Sequence, residues 1–302
     1  MLVEDLAIPG VGLGLLRRPD VNVLLRGGVV ALHGASRSER SQPLFDHLAQ
    51  TLVPLGYAVL SYDRRAKVNR SDVPLADQAA DAREALAMLT THLDAPVGLF
   101  AFSQGAWAAC VAAAMDTGPP ERSLVSFLAL LGCSGVSPAA QMQFFTDELL
   151  RRSGYDAEAR AQARRLRLGV EETFRGRVDP AVTSAALATA CEEPWFDLTY
   201  LPPQMPPPDE AWDDMDFDPA ADIGRVTCPT LLIYGADEEC VPAHESELVW
   251  RSTGHRDLTV AYVPRCGHFP VVDGAGQPEP NDPTSLSADY TAALTAWFTP
   301  QP

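Results

Sequence analysis

The sequence has no run of four or more Lys/Arg, and its 302 residues hold only 23 basic side chains against 40 acidic ones, a formal net charge of −17 with histidine neutral. A surface that acidic repels phosphate backbones and anionic bilayers, so nucleic acid and membrane surfaces are poor partners. No stretch approaches the ~18 consecutive apolar residues of a membrane-spanning helix. The opening residues, MLVEDLAIPG, lack the basic and apolar regions of a secretory signal. Cysteine is sparse, and Cys110, Cys133, Cys191, Cys228, Cys240 and Cys266 form no C-x-x-C pair. Neither a disulfide framework nor a zinc knuckle is expected, and a reducing cytoplasm fits best. The Asn69-Arg70-Ser71 sequon then reads as chance. No G-x-x-x-x-G-K-[ST] or H-E-x-x-H occurs. Gly10-Val11-Gly12-Leu13-Gly14 fails as a dinucleotide fingerprint, because Leu15 stands where the third glycine belongs and no strand is expected before it.

A composition of 46% hydrophobic and 21% charged residues can bury a large core. The first thirty residues read as a β-hairpin, with Val11–Leu16 and Val21–Leu25 flanking Arg17-Arg18-Pro19-Asp20. Short continuous apolar runs follow at 28–32, 58–62, 97–102 and 126–131, separated by helical patterns at 43–52, 75–91 and 104–115. Continuous apolar strands alternating with helices imply a mostly parallel sheet covered on both faces, an α/β fold. From 136 to 222 no buried strand is expected; helical patterns at 139–152, 157–174 and 180–191 lead into a proline-rich run ending at Pro208. Strands resume at 230–234 and 258–263, and a helix over 286–298 closes the chain. The expected organisation is a core of 1–135 and 223–302 interrupted by a helical lid over 136–222. No internal repeat is visible.

The sharpest local signal is Ala101-Phe102-Ser103-Gln104-Gly105 at a strand-to-helix junction. A nucleophile elbow needs small residues two before and two after the serine, because the turn is too tight for side chains there. The plain alternative is that Ser103 caps the following helix. A nucleophilic serine needs a histidine base, itself oriented by a carboxylate. His268 lies just past the last strand, at the sheet's carboxyl edge; His244 and His255 have polar neighbours and read as solvent-exposed. The acid should follow the 230–234 strand, where Asp237, Glu238 and Glu239 are adjacent.

With these motifs the chain resembles an α/β-hydrolase-fold serine hydrolase of the bacterial esterase and dienelactone-hydrolase-like kind. The resemblance rests on Leu32-His33-Gly34, Ser61-Tyr62-Asp63-Arg64-Arg65, the elbow, the acid turn and Gly267-His268. That family's acid turn usually reads G-x-x-D-x-x-V-P, and counting from either Gly235 or Val241 lands on Glu238. Glu238 in place of the usual aspartate changes the reach to the histidine, so Asp237 stays as the alternative. The resemblance implies oxyanion donors at the N–H groups of Gln104 and Ala35. Where the family continues with G-x-G-x-S, this chain has Ala66-Lys67-Val68-Asn69-Arg70-Ser71. Asp63 and Arg64 are expected to form a turn and an ion pair.

The implied chemistry is attack by Ser103 on an acyl carbon, an acyl-serine, and release by water, with no cofactor and no metal; Cys266 and His268 lack the partner ligands a metal would need. The lid aromatics Phe144, Phe145, Trp195, Phe196, Tyr200 and Trp212 are candidate contacts for a partly hydrophobic small-molecule acyl substrate, or equally the lid's own core. An anionic substrate would need local arginines such as Arg37, Arg64 or Arg65 to offset the acidic surface.

Overall fold

The computed structural model describes residues 1–35, 38–65, 73–116, 123–207, 210, 212–272 and 286–299. Arg37, the Asn69-Arg70-Ser71 sequon with the rest of its 66–71 loop, and Pro208 lie outside the described residues. Along the chain run β1 (Leu2–Ile8), β2 (Gly12–Arg18), β3 (Gly27–Leu32), α1 (Pro43–Leu52), β4 (Tyr57–Tyr62), α2 (Leu75–His92), β5 (Val97–Phe102), α3 (Gln104–Ala114) and β6 (Leu128–Leu131). They are followed by α4 (Pro138–Arg152), α5 (Ala157–Phe174), α6 (Pro180–Ala190), α7 (Pro219–Ile223), β7 (Thr230–Gly235), α8 (Ala243–Ser252), β8 (Leu258–Val263) and α9 (Ala288–Phe298).

The strands form one sheet in the order β1-β2-β4-β3-β5-β6-β7-β8. β1 pairs with β2, and β2 with β4, antiparallel; the other pairings are parallel. The α/β class expected from the apolar runs is therefore present. Strand periodicity sorts the side chains into two cores. Val30, Leu60, Leu99, Leu130 and Leu232 face α2, α3 and α8, while Val29, Val59, Phe100, Ala129 and Leu231 face α1 and α9. Central strands buried on both sides must be apolar at every position, which is why these runs were continuous in the sequence.

The N-terminal hairpin differs from expectation. Its reversal is at Pro9-Gly10-Val11, where Ile8 pairs with Gly12 and Gly10 has φ +72°; 21–25 is not a strand, and Val21 is 88% exposed. The reason is Arg17, which points inward, donates to Ser61 Oγ and pairs with Asp46. It ties β2 to β4 instead of turning the chain back. A strand, β1, thus does precede the Gly10–Gly14 run, but the run opens another strand and not a helix, so it is no phosphate loop.

Between β6 and β7 no described residue joins the sheet. The helices there open on side-chain caps: Ser137 for α4, Asp156 for α5 and Asp179 for α6 each accept a first-turn N–H. They share a small core of Leu150, Leu166, Val170, Leu187, Trp195 and Phe196. The chain has returned to the main core by Ile223. Ser287 accepts from Asp289 and Tyr290 N–H, so the last helix starts at Ala288 and not at Leu286. No helix among the described residues is long and apolar enough to cross a membrane.

Candidate active site

Four strands end on one edge of the sheet, and each delivers a residue there: β3 leads to His33, β5 to Ser103, β7 to the 236–242 turn and β8 to His268. In parallel α/β sheets this carboxyl edge is where ligands bind. Ser103 takes φ +53° and ψ −121°, a region that disfavours a side chain and costs about 1–3 kcal/mol. Its side chain makes no capping bond to α3. Instead Oγ lies 2.9 Å from His268 Nε2, so the helix-cap reading of Ser103 does not hold. The small residue at Gly105 is obligatory, because a Cβ there would sit 2.4 Å from the carbonyl oxygen of His33. The same contact seats the elbow against the end of β3.

His268 Nδ1 is 2.9 Å from Glu238 Oε1. A carboxylate oxygen only accepts, so Nδ1 carries the proton and Nε2 is left to accept from Ser103 Oγ. Glu238 Oε1 also accepts from the N–H groups of Cys240 (2.9 Å) and Val241 (3.1 Å), which fixes the carboxylate from its own turn. The side chain is only 4% exposed. Asp237, the alternative, is exposed, and its N–H is tied to the carbonyl of Cys266. Glutamate's extra methylene is what spans from this turn to the imidazole.

Burial alone would lower the His268 pKa, but the charge and hydrogen bond of Glu238, with the charge of Glu239, outweigh it and hold the value above the ordinary 6.5. Two signs follow. If the neutral imidazole is the working form, activity should fall as the pH drops through this raised value, in a pH–rate profile whose acid limb lies above 6.5. The stabilisation from the protonated pair runs the other way: it is fully present below the unfolded value and is lost as pH rises through the folded one.

Sequence reasoning missed several supports. Glu239 Oε2 accepts the His268 backbone N–H at 3.0 Å; in the sequence it is indistinguishable from a solvated turn carboxylate. Arg152, at the end of α4, donates to the carbonyls of Asp237 (2.9 Å) and Glu238 (3.3 Å), and Gln141 donates to that of Cys240 at 2.8 Å. The first helix after β6 therefore lies along the acid turn. Gly132 has φ +63°, and a Cβ on it would come within 2.7 Å of His268 Cε1. Gly132→Ala should displace the imidazole from Ser103 and lower kcat about 10²-fold, read by ester kinetics with Tm as the folding control.

Two expectations need correction. Asp63 does not pair with Arg64; it accepts from the N–H of Arg40 at 2.8 Å and from its guanidinium. Arg64 reaches the other way, to Gln104 Oε1 at 2.9 Å and the Ala35 carbonyl at 3.0 Å. His255 is half-buried beside Trp250, ring centroids 5.5 Å apart, because the turn before β8 folds back over α8; burial lowers its pKa. His244 is exposed as expected. Trp195 and Phe196 are buried in the small core of the α4–α6 segment and serve packing. Tyr200 is 67% exposed and stacks on Phe145 at 5.4 Å; Phe144 and Trp212 are half-buried. Arg65 is engaged by Asp81 through two bonds, at 2.7 and 2.5 Å. Among the described residues no three His, Cys, Asp or Glu side chains are grouped to hold a metal ion.

The chain matches the model of the alpha/beta hydrolase family over residues 29–279. The crystal structure of a proline iminopeptidase from Mycobacterium smegmatis superposes with a TM-score of 0.58 at 15% identity, covering 98% of this chain and 97% of that one. DcsB, solved with a substrate analogue, gives 0.54 at 16% identity over 98% of both chains. A bromoperoxidase from Bacillus anthracis gives 0.51 at 16%, again over 98% of each. At such identities the likeness is one of fold. No curated protein matches the chain.

Proposed function

Because the chain belongs to the alpha/beta hydrolase family, we propose that it is a serine hydrolase that cleaves a carboxylic ester of a small molecule through an acyl-serine. The observation that carries this is the continuous relay from Ser103 Oγ to His268 Nε2 and from Nδ1 to Glu238, both links at 2.9 Å. His268 takes the Ser103 proton as Oγ attacks the acyl carbon. The oxyanion is met by the N–H groups of Ala35 and Gln104, the latter at the positively polarised start of α3. The histidine then gives its proton to the leaving alcohol; water, deprotonated by the same nitrogen, attacks the acyl carbon, the acyl–Oγ bond breaks, and the proton returns from His268 to Ser103 Oγ as the acid leaves. No step calls on a metal or a cofactor.

The α4–α6 segment acts as a lid in this reading. Support comes from α4, which contacts the acid turn through Arg152 and Gln141, and from the exposed Tyr200 stacked on Phe145. Phe144, Phe145, Tyr200 and Trp212 are the aromatic groups left to meet a partly apolar substrate. A panel of p-nitrophenyl esters of graded acyl length, run beside thioesters, lactones, anilides and amine acceptors, tests the assignment. Fastest hydrolysis among the esters supports it; turnover confined to amides or to transfer onto amines sinks it.

A further inference from the structure

We propose that Arg64 is a positioning residue for the oxyanion-binding groups, one guanidinium holding the loop after β3 and the first turn of α3 at a fixed spacing. The inference rests on the hydrolase reading above. Arg64 follows β4 and is only 8% exposed. Its backbone N–H donates to the carbonyl of Ser38 at 2.8 Å, which anchors its own main chain to the far side of the same loop. From there Nη2 donates to the Ala35 carbonyl at 3.0 Å and Nη1 to Gln104 Oε1 at 2.9 Å.

Those two acceptors belong to the two residues whose N–H groups must converge on one oxygen atom. They come from separate elements, one after β3 and one at the start of α3, and the β3–β5 pairing ends at Leu32 and Ala101, three residues before each. The planar fork of a guanidinium, with donors in fixed directions, is suited to bridging two acceptors in a way a lysine ammonium is not. The bond to the Ala35 carbonyl limits rotation of a residue on an exposed loop. The bond to Gln104 draws that residue's side chain toward the loop. The charge of Arg64 is also felt at the neighbouring His33, where it adds to burial in lowering the pKa to about 4, against the pull of the Glu39 backbone bond, Asp63 and Glu39. Burial and the Arg64 charge together hold the loop histidine toward its neutral form.

The test compares wild type with Arg64→Gln, Arg64→Lys and Gln104→Leu. Active serine is titrated with a fluorophosphonate, then kcat and KM for an ester and the inhibition constant of phenylboronic acid, a tetrahedral anion mimic, are measured per titrated site. Arg64→Gln should lower kcat and weaken the boronate about ten- to hundredfold while KM changes little, since the lost interaction belongs to the transition state. Arg64→Lys should recover part of the loss. Gln104→Leu, which cuts the tether from its other end and keeps the charge, should cost about three- to tenfold in kcat. A role in packing alone would lower Tm and the titratable fraction but leave kcat and boronate affinity per site within about twofold of wild type; that result, in Arg64→Gln or, should it not fold, in Gln104→Leu, overturns the proposal. A wild-type protein with no titratable serine overturns the hydrolase reading itself and this proposal with it, whereas normal titration with unaltered variants overturns this proposal alone.

Discussion

Ser103→Ala should remove ester turnover almost completely, with kcat falling by about 10⁶, the scale seen when a serine nucleophile is deleted from such a relay. The size follows from what the side chain supplies. In the proposed reaction Ser103 Oγ is the atom that forms the bond, and the strained backbone at φ +53° lifts it above the strand ends. Alanine keeps the fold, since Cβ already occupies that position, and it relieves nothing in the turn itself. Tm should therefore stay close to wild type while activity disappears. Residual turnover of about 10³ to 10⁴ over water would not contradict this, because oxyanion donors and substrate binding survive the loss of the nucleophile. Ester kinetics on protein checked by circular dichroism and thermal melting decide the matter.

Glu238→Gln carries the second largest effect, a fall in kcat of about 10⁴. The glutamine is isosteric, so the turn bonds from Cys240 and Val241 can persist on its carbonyl oxygen. What changes is the charge that orients His268 and stabilises the imidazolium. The amide can also present N–H to Nδ1, favouring the tautomer whose Nε2 cannot accept the serine proton. The acid limb of any remaining activity should move to lower pH, because burial, the largest influence on His268, then acts with less opposition. Asp237→Asn is the control. Its side chain is exposed and its N–H is held by Cys266 whichever residue stands there, so kcat should stay within about threefold of wild type. A large loss in Asp237→Asn with a mild one in Glu238→Gln would move the acid to Asp237.

How much of this was legible in the sequence depends on how local the cause is. β3, β5, β7 and α1 could be read because a doubly buried strand or an amphipathic helix writes its environment into consecutive residues. The elbow was legible because Gly105 and Ala101 answer a steric demand within five residues; the contact of Glu238 with His268 falls at the position that the family resemblance implies by its count from Gly235. The hairpin was misread because Arg17-Arg18-Pro19-Asp20 looks like a polar turn, whereas Arg17 spends its charge on Asp46, far along the chain. Arg64 was misassigned for the same reason: Asp63 is adjacent in sequence, but in the structure Asp63 pairs with Arg40 while Arg64 bridges Ala35 and Gln104 of α3. Glu239 and Gly132 act on His268 across a fold-level distance, and no local pattern marks them. The aromatics between β6 and β7 could be counted but not sorted, since Trp195 in a small core and Tyr200 at the surface carry similar neighbours in the sequence.

The acidic balance of the chain takes on a specific meaning at Asp237-Glu238-Glu239. One carboxylate faces solvent, the next orients the imidazole, and the third holds its backbone. Together the last two keep His268 a stronger base than burial would allow.

The most direct measurement is intact-mass and peptide-level analysis of the protein after reaction with a fluorophosphonate, run at a pH above the His268 transition and again below it. A single adduct on Ser103, formed quickly at the higher pH and slowly at the lower, is the result expected of a serine activated by His268 and Glu238. No adduct, or an adduct on another serine with Ser103 unmodified, would contradict the account.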